Sequence, residues 1–166
     1  MPEKGFQKWI ITITVILASL LELIDTTVVN VSLPQIMGNL GATLEDVGWV
    51  ITAYSIANVV ILPMSGWLSS RFGRRSYFTF SIVLFTIASF FCGNAENIWE
   101  LVLFRFLQGI GGGALLATAQ AILMETWPKE QHGMAQALFG LGVVVGPTIG
   151  PTLGGYITDH FTWPWV

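Results

Sequence analysis

Gly140 to Gly155 reads GLGVVVGPTIGPTLGG and lies in the last long apolar segment of a chain of 166 residues. Gly142, Gly146, Gly150 and Gly154 recur every fourth residue, so on an α-helix they line one face that carries no side chains. A bare face lets a second backbone come close. In lipid that closeness is the main source of packing energy, because the acyl tails already solvate apolar surface. A tight helix–helix contact is therefore expected. Pro147 and Pro151 each remove an N–H and crowd the carbonyl four residues earlier, at Val143 and at Pro147. The helix is expected to bend or flex there, unless the prolines are incidental to a helix that only packs.

Composition places this segment in a membrane. Charged residues make up 10% of the chain and apolar residues 53%, against about 25% charged in ordinary soluble domains. Apolar stretches of roughly the 20 residues needed to span occur at Trp9 to Leu33, Val47 to Leu68, Tyr77 to Cys92, Trp99 to Met124 and His132 to Ile157. Lys4 and Lys8 before the first run suggest a signal peptide as the competing reading. The run is too long for one and carries Glu22 and Asp25, so it is expected to be retained. Lys4, Lys8, Arg71, Arg74, Arg75 and Lys129 fall on one side of such a topology, and Glu45, Asp46, Glu96 and Asp159 on the other. The positive-inside rule then puts the N-terminus in the cytoplasm. The single Cys92 is read as a small packing residue, and no metal site, catalytic residue, cofactor or nucleic-acid partner is expected.

The first span contains LLELIDTTVVNVSLP, with Pro34 expected to end it and Gln35 to Asp46 to form a short loop. Glu22 and Asp25, three apart, share a face that Thr26 and Asn30 continue. Carboxylates inside a span are costly, about 3 kcal/mol each on insertion scales, and so should face protein or water. They either hydrogen-bond a neighbouring helix or carry a coupling proton, since burial disfavours the charged form and a nearby cation favours it. Arg105 in the fourth span needs an acidic partner, because Arg stays charged. By helix rise it lies roughly 9 Å below Trp99 and Asp25 roughly 13 Å below Pro34, similar depths that make Asp25 or Glu22 the candidate partner. Tyr54 and Asn58 in the second span line a cavity or bond another helix, two readings that pattern alone leaves open. In the fourth span, Gly109, Gly113, Ala117 and Ala121 form a second small-residue stripe.

Four stretches carry a resemblance to the major facilitator superfamily. Gly142-x-x-x-Gly146-Pro147-x-x-Gly150-Pro151-x-x-Gly154-Gly155 resembles its fifth-helix antiporter motif, in the doubled form found in drug:proton antiporters of the fourteen-span branch. Asp25 to Pro34 resembles that branch's first-helix signature D-x-T-x-V-N-V-A-L-P, with Ser32 in place of Ala. Gly66 to Arg75, read as the tight link between the second and third spans, is similar to the loop motif G-x-L-x-D-R-x-G-R-R/K. Ser70 stands where the family has Asp, so the implied gate latch rests on Gly66, Arg71, Gly73, Arg74 and Arg75. Leu101-x-x-x-Arg105-x-x-Gln108-Gly109-x-Gly111 resembles the fourth-helix motif, whose Arg is implied in proton coupling.

The resemblance implies an all-α integral membrane protein: five transmembrane helices of a six-helix N-terminal bundle, built from inverted three-helix repeats, with a second bundle completing the cavity. It implies proton-driven export of amphipathic or cationic small molecules across a bacterial cytoplasmic membrane, with the proton as coupling ion. Glu22, Asp25 and Arg105 would couple the proton, while Thr26, Asn30, Tyr54 and Gln108 are candidate substrate contacts. The glycine and proline stripe would seal and flex against the opposite bundle. A C-terminal half is expected as partner, and in some similar exporters a periplasmic adaptor and outer-membrane channel extend the route. Two other classes stay open: a structural subunit that assembles with another membrane protein, and an intramembrane enzyme. The second would need a nucleophile, a base and oxyanion donors in register, whereas His132 and His160 lie at interfaces.

Overall fold

The computed structural model describes residues 2–165, with side chains from residue 5 onward, so Lys4 and Val166 lie outside the described side chains. Five long helices follow one another: α1 (Pro2–Leu40), α2 (Leu44–Phe72), α3 (Arg74–Cys92), α4 (Ile98–Thr126) and α5 (His132–His160). Single 3-10 turns stand at Lys129–Gln131 and Trp163–Trp165. All five helices are long and apolar enough to cross a membrane.

The helices run further than their apolar cores. Pro34 was expected to end the first span, but α1 continues through it to Leu40. A proline removes one helical hydrogen bond and leaves the rest. Burial of Ile36 among Val47, Val50, Ile98 and Trp163 holds the segment beyond it. At 39 residues and 1.5 Å per residue α1 is about 58 Å long, nearly twice a ~30 Å hydrocarbon core. Its ends therefore leave the core or the helix tilts. The expected link from Gly66 to Arg75 is also mostly helix. The Ser69 and Ser70 hydroxyls donate to the carbonyls of Gly66 and Trp67, so the polar residues are satisfied within α2. Only Gly73 breaks the run, with a φ of 84° that a side chain would strain.

Successive helices alternate in direction and leave Lys8, Arg71, Arg74, Arg75 and Lys129 at one end of the bundle. Glu45, Asp46, Glu96, Glu100 and Asp159 stand at the other. These are the basic and acidic ends. α2 starts at the acidic end with a capping box: Thr43 Oγ1 accepts from the Asp46 N–H at 3.2 Å and Asp46 Oδ2 accepts from the Thr43 N–H at 3.0 Å. Thr43→Ala is expected to cost about 1 kcal/mol, read as a lower unfolding midpoint in detergent with unchanged helix content.

α4 is the centre of the bundle, packing on α2, α3 and α1, while α5 packs on α1. The reason is written in its glycines. A Cβ on Gly109 would lie 2.6 Å from the Tyr54 carbonyl oxygen of α2, and one on Gly111 2.8 Å from the Phe85 nitrogen of α3. Two backbones thus touch α4 on different sides. The α5 stripe works likewise: Gly142, Gly146, Gly150 and Gly154 meet Ile16, Leu23, Thr27 and Val28, all on α1. The glycine face thus packs within this bundle, on α1. α1 supplies side chains at matching helical spacing and fills the groove, while Pro147 and Pro151 face away and are exposed.

Two apolar clusters result. One, toward the basic end, gathers Val15, Phe78, Leu115, Leu123, Trp127 and Phe139 among others. Trp127 is clasped there: its Nε1–H donates to Thr12 Oγ1 at 2.9 Å, and Lys8 Nζ lies 3.9 Å from its ring centroid. The other cluster, toward the acidic end, gathers Val29, Ile36, Val50, Leu101 and Trp163. Its Trp163 comes from the chain's last turn, which folds back so that a Cβ on Gly93 would sit 2.6 Å from the Pro164 carbonyl oxygen.

Candidate functional site

Between the two clusters lies a polar layer built by four helices. α1 brings Glu22 and Asp25, α2 Tyr54, α3 Cys92, and α4 Arg105 with Gln108. Arg105 and Gln108, three apart, reach toward α1 together. Arg105 Nη1 donates to Asp25 Oδ2 at 2.7 Å and to Gln108 Oε1 at 2.6 Å, and Gln108 Nε2 donates to Asp25 Oδ1 at 2.8 Å. The three side chains close a ring, and both Asp25 oxygens are engaged. Arg105 is 3% and Gln108 1% exposed, which makes this an ion pair taken out of solvent. Such a pair depends on how far its remaining donors and acceptors are matched; Gln108 engages Arg105 Nη1 and Asp25 Oδ1, while Arg105 Nε is buried without a partner.

Glu22, one turn away, goes elsewhere. Its Oε1 accepts from the Tyr54 hydroxyl at 3.1 Å, while Oε2 is buried without a partner. The Tyr54 ring joins the two acidic centres, because the Arg105 guanidinium carbon lies 4.4 Å from its centroid, within cation–π range. Gly112 leaves room for this arrangement: a Cβ there would be 2.5 Å from the Tyr54 hydroxyl. The acidic partner of Arg105, open between Asp25 and Glu22 in the sequence, is Asp25.

The ring borders a cavity of about 710 Å³ between α1, α3 and α4, partly open to the outside of the bundle. Ile24, Phe85 and Phe90 form apolar parts of its wall, and Trp163 and Trp165 stand at the acidic end. Asp25, Arg105, Gln108 and Cys92 supply the polar atoms beside it. The Cys92 thiol lies 3.7 Å from Gln108 Oε1, which makes it part of the polar layer as well as a packing residue.

Other sequence candidates stand apart. Asn30 is exposed, and the Thr26 hydroxyl donates to the Leu23 carbonyl at 2.9 Å within its own helix. Neither joins the ring. Tyr54 and Gln108, candidate substrate contacts by sequence, are buried and hydrogen-bonded to Glu22 and Asp25, and Gln108 also lines the cavity. At the basic end, Gly66, Arg71, Gly73 and Arg75 are exposed, and Arg74 pairs with Glu125 at the end of α4. Glu125 and Trp127 were not singled out from the sequence. No local pattern marks them, since their partners come from other helices.

Across residues 15–166 the sequence matches the profile of the Major Facilitator Superfamily. The chain belongs to that superfamily. It is a multi-pass membrane protein of a transporter family. Among superfamily members, the chain is 40% identical over 165 residues to the multidrug export protein EmrB of Escherichia coli K12, covering 99% of this chain and 32% of that protein. It is 42% identical over 165 residues to the fatty acid resistance protein FarB of Neisseria gonorrhoeae, again covering 99% of this chain and 32% of the relative. The chain thus spans about a third of the length of the curated relatives it matches. Among solved structures, the proton:xylose symporter XylE superposes with a TM-score of 0.83 at 19% identity, over 98% of this chain and 40% of that one. A bacterial homologue of the lysosomal transporter Spinster gives 0.78 at 23% identity, over 90% and 32%. These two likenesses establish the fold.

Proposed function

We propose that this chain is the N-terminal portion of a proton-coupled exporter of the drug:proton antiporter branch, moving amphipathic or cationic small molecules out across a bacterial cytoplasmic membrane by alternating access. The observation that carries the reading is the closed Asp25–Arg105–Gln108 ring beside a cavity, between two apolar clusters. The names of the relatives, multidrug export and fatty acid resistance, support the substrate class. The basic end faces the cytoplasm by the positive-inside rule, which places the N-terminus there.

In this mechanism Asp25 or Glu22 takes a proton while the cavity is open outward. On Asp25 that proton cancels the charge that holds Arg105, and the guanidinium keeps Gln108 and the Tyr54 ring. The loosened ring lets α1 move, and α5 moves with it through the glycine face. Substrate entering from the cytoplasm or the inner leaflet displaces the proton inward, and re-formation of the pair favours outward release. A second bundle completes the cavity, and in a cell with two membranes a periplasmic adaptor and an outer-membrane channel extend the route.

Proton movement in inverted vesicles carrying the full-length parent tests this. On adding a lipophilic cation, wild type is expected to release protons and folded Asp25→Asn to release none. Undiminished release from Asp25→Asn would remove Asp25 as the carrier, and loss in Glu22→Gln alone would transfer that role to Glu22.

A further inference from the structure

Glu22, Asp25 and Arg105 are the only charged residues of the described helices that stand away from the helix ends. One cation thus shares the interior with two acids. In the arrangement seen, Asp25 holds Arg105, while Glu22 holds only the Tyr54 hydroxyl. Two atoms of the layer are left over: Arg105 Nε, a donor, and Glu22 Oε2, an acceptor, are both buried without a partner. Leaving such groups unmatched is costly, and more so on charged side chains.

A single residue touches both. The Arg105 guanidinium carbon lies 4.4 Å from the Tyr54 ring centroid, and the hydroxyl of the same ring donates to Glu22 Oε1 at 3.1 Å. Glu22 also lies against α4, the helix of Arg105, since a Cβ on Gly112 would be 3.3 Å from the Glu22 Cγ. Gly112 follows Arg105 by about two turns. Both acids therefore face α4, Glu22 nearer the basic end by about 4.5 Å of helix rise.

In the proton-coupled reading, on which this inference rests, a proton cancels the charge of Asp25. Arg105 stays charged, and a buried cation stripped of its acid is strongly destabilising. We propose that Glu22 is the second seat of Arg105: once Asp25 is neutral, the guanidinium crosses the Tyr54 ring and pairs with the Glu22 carboxylate. The two atoms left over in the first arrangement, Arg105 Nε and Glu22 Oε2, then match each other. The cation moves by about 4.5 Å toward the basic end, a step comparable to one-turn shifts between packed helices. Tyr54 and Gly112 are the positioning residues of the seat.

A mutant cycle in the full-length protein, unfolded in mixed micelles without substrate or proton gradient, tests the seat apart from transport. Asp25→Asn copies the neutral aspartate and is expected to remain folded, because Arg105 has Glu22 to turn to. Glu22→Gln leaves the Asp25 pair in place and should have a small effect. Together they leave Arg105 buried with no acid. The ratio of folded to unfolded protein should then fall at least about 100-fold further than the two single effects multiplied. Adding Arg105→Met to the double variant should restore most of that loss, since no cation remains. If the double variant is lost during purification, recovery of the triple variant gives the same answer. Single effects that simply multiply, or a triple variant no more stable than the double, would overturn the seat. A synergistic loss beside a failed vesicle assay would keep Glu22 as the second seat and remove only its coupling to protons.

Discussion

Gly150→Leu is expected to prevent assembly of the bundle. A Cβ at this position would overlap the Thr27 side chain and lie 3.4 Å from the Ile24 carbonyl oxygen, before any of the rest of leucine is placed. Over-packing ordinarily costs about 1–3 kcal/mol because side chains move aside. Here the obstacle includes the Thr27 Cβ, 2.8 Å from the added carbon and fixed to the α1 backbone, so it can yield only by separating α1 from α5 and the cost should exceed ~3 kcal/mol. Gly140→Leu on the same helix has nothing within 4 Å to meet and serves as the control. The check is the amount of monodisperse protein recovered in mild detergent: near wild type for Gly140→Leu and almost none for Gly150→Leu. Equal recovery of both would mean that the α1–α5 contact is dispensable.

The second large effect is expected at Arg105. Replacing it with Met keeps most of the side-chain length but leaves Asp25 buried beside Gln108 without a cation. Removing one partner of a buried pair costs about 3–5 kcal/mol, mostly from the charge left behind. Asp25→Asn together with Arg105→Met removes that charge as well, and the pair is expected to recover a large part of the loss. Unfolding of the purified variants in mixed micelles measures both. A double variant no more stable than Arg105→Met alone would mean that the ring is held by packing and not by charge.

The glycine stripe shows where sequence is informative and where it stops. Four-residue spacing establishes that something packs there, but the identity of the partner depends on which neighbouring helix presents side chains of matching spacing and shape. That helix is α1, from the opposite end of the chain. The five spans were legible because apolar length is a bulk property of each segment. Their ends were less so, since Pro34 and the Ser69–Ser70 pair look like breaks but can be satisfied inside a helix. At the site, depth arithmetic brought Arg105 and the carboxylates to one level. It could not divide Glu22 from Asp25, because residues three apart differ by about 60° around a helix. That angle sends one to Tyr54 on α2 and the other to Arg105 on α4. Cys92 and Trp127 carried no sequence signal at all, because what they touch is set by helices distant in the chain.

The place of that single cysteine has a practical consequence. Its sulfur borders the cavity and lies one contact from the amide that holds the ion pair. A thiol is the one side chain here that small maleimides or methanethiosulfonates attack selectively, and they reach it only when water and reagent do. The chain therefore carries a built-in reporter of solvent access. The speed of labelling at Cys92 reads how freely water and reagent reach the compartment beside Asp25, without any residue having to be introduced.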